Sequence, residues 1–583
     1  TNIDSTGIVT AKSGIKVGSP LATGIGASLD STGNAQFSGI VTSSSFVGDI
    51  NASSLASGTI PDARLPNPLP AISGANLTNL PPSGNTATLV ADGAIAAGKP
   101  CIIKTDGKAA QIAETLSPTN PPVANGDSTV TDVKQYVWWV YDTSRDRYVV
   151  IGKAGDAYWI YGTNNAGNTN FSWSSQFLLL GYALTSCMAC YHVSQERTIF
   201  MWWNSQFSAG TSLMVATHGP DVNSAADFNA NNSYQIGNRA RPIGAVYYPE
   251  VNVCCFMVQD NDSNLGILYM LDTTTSSTIA NNVVNKKATI TLDGSASIEF
   301  GGLATNGTVI VVAYKKGSNA GIYYKIITGT NNTTYTETSE AHYTEGSITT
   351  EEIDITYDTN AGKFLMVYKQ GGSGNKLRAV VGTLSGTGSS ATISWGTPVE
   401  MPSAPSTNAG MSCEYDPSRK ENLVVYDNSA TGYFKYISIS GTTPTWGTAV
   451  LLDGSFYPVS AKGNHFSIVY NPDTHQMAVA WQTNPGNSGT ASRYELITGA
   501  GINSNLSNDK RNFIGFAEDA ISDGSTGSIK LRGNVVGNQS GLTPATMYEV
   551  QDAGTLTANW QSNSVGLKAI AADKGIISEN TGV

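Results

Sequence analysis

Charge is what this sequence has least of. Asp, Glu, Lys and Arg make up 13% of its 583 residues, about half the usual share in a soluble globular protein. Cations are the rarer sign, 33 against 44 acids, and the net charge of −11 offers no basic footprint for DNA or RNA. A nucleic-acid partner is therefore not expected. No run of about 18 apolar residues occurs, so no helical membrane span is encoded. The opening residues lack the basic-then-apolar pattern of a secretory signal. Thr1 in place of Met leads us to expect a processed chain or the ordered part of a longer one.

Six cysteines are too few to make a disulfide scaffold at this length. Cys187 and Cys190 have CxxC spacing, but they lie in a strand-like stretch with no helix N-terminus to lower a thiol pKa. Residues i and i+3 of a strand also leave on opposite faces, which works against shared metal ligation. These two, and the adjacent Cys254 and Cys255, are read as small buried hydrophobes.

Catalytic motifs are equally scarce. The histidines, His192, His218, His342, His465 and His475, show neither HExxH nor another metal spacing, and no GxSxG elbow or P-loop occurs. Arginines are scattered, where a sialidase needs a cluster to hold a carboxylate. The sialidase turn Ser-x-Asp-x-Gly-x-Thr-Trp is missing its Asp in every Trp-Gly-Thr phrase. No pair of carboxylates is placed by sequence for glycoside hydrolysis. Asp260, Asp262 and Asn264 alternate as calcium ligands would, yet Gly266 falls one place late and Leu271 stands where a bidentate Glu belongs. A polar hairpin turn is the preferred reading. No catalytic residue, cofactor or metal is assigned, and no enzyme is expected.

What the chain does have is Ser, Thr, Asn and Gly for uncharged β surface, with 40% hydrophobic residues and many aromatics, which argue against disorder. It also has a repeat. Cys413-Glu414-Tyr415-Asp416-Pro417 leads to Leu423-Val424-Val425-Tyr426, and Ile468-Val469-Tyr470-Asn471-Pro472 leads to Met477-Ala478-Val479-Ala480-Trp481. Equivalent anchors at Tyr141, Tyr191, Tyr247, Leu303, Tyr357, Tyr415 and Tyr470 are 50, 56, 56, 54, 58 and 55 residues apart. Such a period without helical patterning predicts a seven-bladed β-propeller over 130–500. Third strands are expected at 157–161, 212–217, 266–271, 322–327, 377–381, 433–438 and 493–497. Outer strands are signalled at Phe171–Trp173, Ile393–Thr397 and Thr445–Thr448. The last blade lacks one, and a segment near Ile112–Leu116 is expected to supply it. The Tyr-Asp-Pro and Tyr-Asn-Pro units read as turns. In Trp138-Trp139 and Trp202-Trp203, one ring of each pair is expected between blades and the other toward channel or solvent.

Residues 1–85 are a low-complexity stem whose short units bury too few side chains to stand alone. Three wrapped copies would share one thin core, so a homotrimer is expected. Residues 87–114 and 505–583 give short strands with Gly turns and read as one small β-barrel, with the propeller inserted at a loop tip. The predicted fold is thus all-β: a fibrous stem, and a seven-bladed propeller inserted into a small barrel.

The phrases Gly39-Ile40-Val41-Thr42, Phe46-Val47-Gly48-Asp49-Ile50, Thr59-Ile60-Pro61-Asp62-Ala63-Arg64-Leu65-Pro66 and Leu77-Thr78-Asn79-Leu80-Pro81 resemble stems of tail-fibre and appendage proteins of marine tailed phages, cyanophages in particular. Ala517 to Gly524, Ser540 to Pro544, Tyr548 and Gln551-Asp552 are similar to a small β-domain recurrent in phage fibre proteins. The resemblance implies a structural protein on the virion surface, joined through its stem to other tail, baseplate or capsid proteins. Its head would then attach to a host-surface glycan through the loops 204–210, 229–234, 371–375 and 484–489. The alternatives are a polysaccharide depolymerase with carboxylates gathered from separate blades and a purely architectural decoration protein.

Overall fold

The computed structural model describes residues 15–17, 27–29 and 35–37, and most of 85–579. Within the latter it leaves out 126–127, 131–134, 154–156, 166–168, 176, 181–183, 205–211, 219–233, 238–239, 261–264, 274–283, 294–297, 318–320, 344–348, 372–375, 403–409, 429–430, 454–465, 483–491, 507–509, 559 and 561–563. Two units separate, 1–84 and 85–583. In the first, Ile15–Val17, Ala27–Leu29 and Ala35–Phe37 form a three-stranded antiparallel sheet. The rest of the expected stem, and its trimeric assembly, lie outside the described residues.

The second unit is all-β and holds seven consecutive antiparallel sheets. Their first strands are Gln135–Asp142, Leu184–His192, Ala240–Tyr248, Ile298–Thr305, Thr349–Asp358, Met411–Asp416 and Phe466–Asn471. Each is followed by a second and a third strand in simple up-and-down order. Every sequence anchor falls near the end of a first strand, and all the expected third strands and the three signalled outer strands are present. The seventh sheet takes its outer strand from upstream: Glu114–Ala124 pairs with Ser492–Ser504, from Glu114 opposite Ser504 to Ala124 opposite Ile497. The seven-sheet array therefore reaches back to Glu114, across the boundary drawn at residue 130.

The second strands show why the pattern is apolar and not alternating. Val253–Asp260 is buried at all but its last residue, because both faces of the strand are covered by neighbouring sheets. A separate apolar core lies between each successive pair of sheets. Val149, Trp159, Phe200 and Trp202 fill the first interface, and Leu423, Phe434, Val479 and Trp481 fill the sixth. A seventh core joins the ends of the series, with Trp139, Tyr148 and Phe171 from the first sheet against Ala480, Tyr494 and Leu496 from the last.

The turn after each first strand carries a left-handed residue: Asp146, Glu196, Asn252, Gly307, Gly362, Lys420 and His475. In six sheets it stands five residues after the anchor, and in the fourth sheet four. That conformation reverses the chain tightly and costs any side chain except glycine's.

The small β-barrel expected from 87–114 and 505–583 is instead two five-stranded sheets, neither closed. The first orders Thr86–Val90, Thr526–Lys530, Phe513–Ala517, Pro100–Ile103 and Ala109–Gln111. It curls until its end strands meet, but only at one bridge, Ala91 with Ala109. The second has two-residue end strands, Val535–Val536 and Leu556–Thr557, which are too short to carry a ladder around a barrel. Ile102 and Phe516 of one sheet pack against Val550 and Leu567 of the other.

Candidate functional site

First strands of six of the seven sheets, all but the second, supply the lining residues of a cavity of about 120 Å³. Its polar side is built from neighbouring strands of the fifth and sixth sheets. Glu352 and Asp354 alternate along Thr349–Asp358, so both leave on one face, and they meet the edge of Met411–Asp416. That edge has backbone N–H groups with no strand beside them. The Met411 amide donates to Glu352 Oε2 at 3.0 Å, the Cys413 amide to Asp354 Oδ2 at 2.8 Å and the Tyr415 amide to Thr356 Oγ1 at 3.1 Å. Three side chains two residues apart thus stand in for a missing strand.

Asp354 also accepts from the Ser412 hydroxyl at 2.8 Å and from the Ile355 amide at 2.9 Å. Burial pushes its carboxyl up to about 6, with the three donors pulling the other way. Glu414, next in line on the sixth sheet, is pushed up to about 8 by burial and by the charge of Asp354. Glu414 lines the cavity and is solvent-exposed, so it is the more accessible of the two carboxyls. The other walls are apolar or small, with Trp138, Phe300 and Phe466 and, at Gly302, a backbone on which Asp354 packs too closely to admit a Cβ.

Sequence reasoning missed Glu352, Asp354 and Glu414. The available signal was positional, since three residues before the anchors stand Trp138, Met188, Gly244, Phe300, Asp354, Ser412 and Ser467. All but Asp354 are apolar or small, and Asp354 alone is ionisable.

The residues singled out from sequence are spread over the fold. Trp139 is buried between the first and last sheets, whereas Trp138 lines the cavity and donates from Nε1 to the Ala189 carbonyl at 3.1 Å. Trp202 is buried and Trp203 half-buried. Cys187 and Cys190 enter different cores, as do Cys254 and Cys255, and all six cysteines are buried thiols. The turn residues cap their own turns: Asp416 accepts from the Ser418 amide at 2.9 Å and Asn471 from the Asp473 amide at 2.8 Å. Asp416 also accepts from the Tyr436 hydroxyl at 2.7 Å. His192 is fully buried, with Nε2 2.9 Å from the Asn252 carbonyl. His342 stacks on Tyr323, and His475 lies between Tyr470 and Glu114. His465, Asp262 and Asn264 lie outside the described residues, as do 205–210, 229–233, 372–375 and 484–489 of the expected binding loops. Among the described residues no group of three or more His, Cys, Asp and Glu is placed to hold a metal, and no helix is long and apolar enough to cross a membrane.

No protein-family model matches this chain, and no curated protein does. Solved structures with some likeness include a protein from Lactobacillus plantarum, at 9% identity and a TM-score of 0.37, over 56% of this chain and 87% of that one. A protein of unknown function from Dyadobacter fermentans gives 8% and 0.32 over 54% and 95%. AofleA from Arthrobotrys oligospora gives 9% and 0.33 over 64% and 100%. Likenesses at that level define neither the fold nor the function of this chain.

Proposed function

We propose that the seven sheets are the blades of one β-propeller and that the chain is a fibre subunit of a tailed phage, displaying this head for attachment to a host-surface glycan. The observation that carries the propeller reading is the cyclic run of apolar cores, in which the seventh core joins the last sheet to the first. The upstream strand Glu114–Ala124 in the last sheet supports it, because a ring completed by chain from outside the repeats is held shut at its seam. The fibre reading rests on the stem phrases and on the fibre-like wording of the C-terminal strands. In it, residues 1–85 trimerise, join the virion and leave the head outermost.

One observation favours a second reading. Asp354 and Glu414 come from different sheets, and both titrate near neutrality, as a depolymerase acid and base would. Against it, Asp354 is engaged by three donors, two of which, from Ser412 and Cys413, tie one sheet to the next. A glycan array probed with the full chain, run beside an assay for reducing ends released from host polysaccharide, separates the readings. Binding without cleavage is the expected result. Cleavage that is lost in Glu414→Gln would replace the adhesin with an enzyme, and neither binding nor cleavage would leave an architectural decoration protein.

A further inference from the structure

A second cavity, about 240 Å³ and so twice the volume of the first, lies in the two C-terminal sheets. One water needs roughly 10–15 Å³ of such space, so the cavity has room for a small ligand. Three distant pieces of chain wall it: 98–100, 538–542 with Tyr548, and 554–556. They are fixed to one another within the chain itself. Gln539 donates from Nε2 to the carbonyls of Gly98 at 2.8 Å and Gly537 at 3.0 Å. The Gly98 amide donates to the Ala517 carbonyl and the Ala517 amide to the Lys99 carbonyl, both at 2.9 Å. The Tyr548 hydroxyl accepts from the Thr543 amide at 2.9 Å. Close approach is built in at Gly98, where φ is +73° and a Cβ would meet the Asn538 carbonyl oxygen at 2.7 Å.

The lining divides by exposure. Pro100, Leu542, Tyr548 and Gly554 are buried and form a floor, whereas Lys99, Asn538, Ser540 and Thr555 are exposed at the rim. Lys99 is the only charged residue of the lining, in a chain whose net charge is −11. No carboxylate lines the cavity, so it favours an anion over a cation. The other rim side chains, one amide and two hydroxyls, each donate and accept. We propose that this cavity holds an acidic sugar, a pyranose that carries a carboxylate. The carboxylate meets the Lys99 ammonium in a charge-assisted hydrogen bond. Ring hydroxyls exchange hydrogen bonds with Asn538, Ser540 and Thr555, and the apolar C–H face of the ring lies on Leu542 and Tyr548. An apolar floor with a few placed polar groups is the usual composition of a small-ligand site. An uncharged sugar leaves Lys99 without a partner, and a bare carboxylate such as acetate leaves the floor and the hydroxyls unused. The proposal rests on the adhesin reading and deepens it, giving the host glycan an acidic sugar and a point of contact outside the seven sheets.

The test is saturation-transfer NMR on the full chain with D-glucuronate, glucose and acetate in turn, beside the glycan array. Glucuronate should bind, with glucose and acetate each weaker by about tenfold or more. Lys99→Gln changes an exposed side chain, so it should fold as the parent does and bring glucuronate down to the level of glucose. Lys99→Arg should keep the preference, and Ser540→Trp, a second exposed rim position, should block the cavity to glucuronate. No glucuronate binding, glucose or acetate binding as tightly as glucuronate, or glucuronate binding unchanged in Lys99→Gln and Ser540→Trp would overturn the proposal. Any of these results with an array that still binds glycan removes the site and leaves the adhesin reading standing. A blank array with Lys99-dependent glucuronate binding does the reverse.

Discussion

Arg419 in the sixth sheet donates from Nη1 to the carbonyl of Thr119, 300 residues earlier in the chain, at 2.6 Å. The same nitrogen donates to the Gly499 carbonyl at 2.6 Å, and Nε to Glu421 Oε2 at 2.8 Å. The guanidinium lies 4.4 Å from the centre of the Tyr436 ring, and the residue is 6% exposed. One side chain thus ties the upstream strand to both the sixth and seventh sheets. Arg419→Ala strands two carbonyls and a carboxylate, and it should lower stability by about 3 kcal/mol. Arg419→Lys should recover only part of this, because a single ammonium that meets the two carbonyls has no further nitrogens for Glu421 and the Asn120 side chain. Urea unfolding followed by tryptophan fluorescence measures both; equal stability in the two variants and the parent would remove the tie.

The same strand predicts the outcome of trimming. A chain cut to 130–500 loses Glu114–Ala124 and Ser128–Thr129, the entire outer part of the seventh sheet. It also removes the last four residues of Ser492–Ser504, exposes the edge of what remains of that strand and opens one side of the core that includes Ala124. Such a chain should aggregate or melt without cooperativity, whereas one cut to 85–583 should melt cooperatively. Scanning calorimetry with light scattering distinguishes the two.

The cavity carboxylates set a pH dependence whose sign is fixed. Both pKa values are raised by folding, so the folded chain keeps protons that the unfolded chain would release. Their stabilising contribution is present in full below the ordinary carboxylate range, about 4. It is lost as pH rises through about 6 for Asp354 and about 8 for Glu414. The melting temperature should therefore fall from pH 5 to pH 9. Glu414→Gln should flatten the upper part of that decline and raise stability at pH 9. A profile unchanged by Glu414→Gln would show that folding does not raise the pKa of Glu414.

Much of the fold was legible because its repeat is written in residues that do local work. A Tyr or Leu near the strand end, Asp or Asn to cap the turn and an apolar run that is buried on both faces recur at near-constant spacing, and each follows from one strand's own surroundings. The missing outer strand could be anticipated from the seventh sheet's deficit, with Leu116 opposite Ile502. Closure of the C-terminal sheets was not legible, since it depends on whether two-residue end strands can reach one another. Nor were Glu352, Asp354 and Glu414, whose neighbours come from a different repeat. Strand alternation places Asp354 on a face. Only the next sheet's unpaired amides explain why an acid stands there.

The left-handed turn residues allow a direct test of how much the sequence has yielded to the turn. Gly362 has φ of +64° and Lys420, its counterpart in the next sheet, has φ of 58°. A Cβ at Gly362 would meet nothing nearer than the Tyr357 hydroxyl at 3.9 Å, so a substitution there is strained by backbone conformation and not by crowding. Gly362→Ala should cost about 1 kcal/mol, and Gly362→Val more, because β-branched residues fit this region worst. Lys420→Gly relieves the same strain but adds freedom to the unfolded chain, and the two effects are of similar size. It should therefore be neutral or stabilising by up to about 1 kcal/mol. Denaturant midpoints for the three variants give the answer. If Gly362→Ala and Lys420→Gly shift stability in the same direction, the seven turns are not conformationally equivalent.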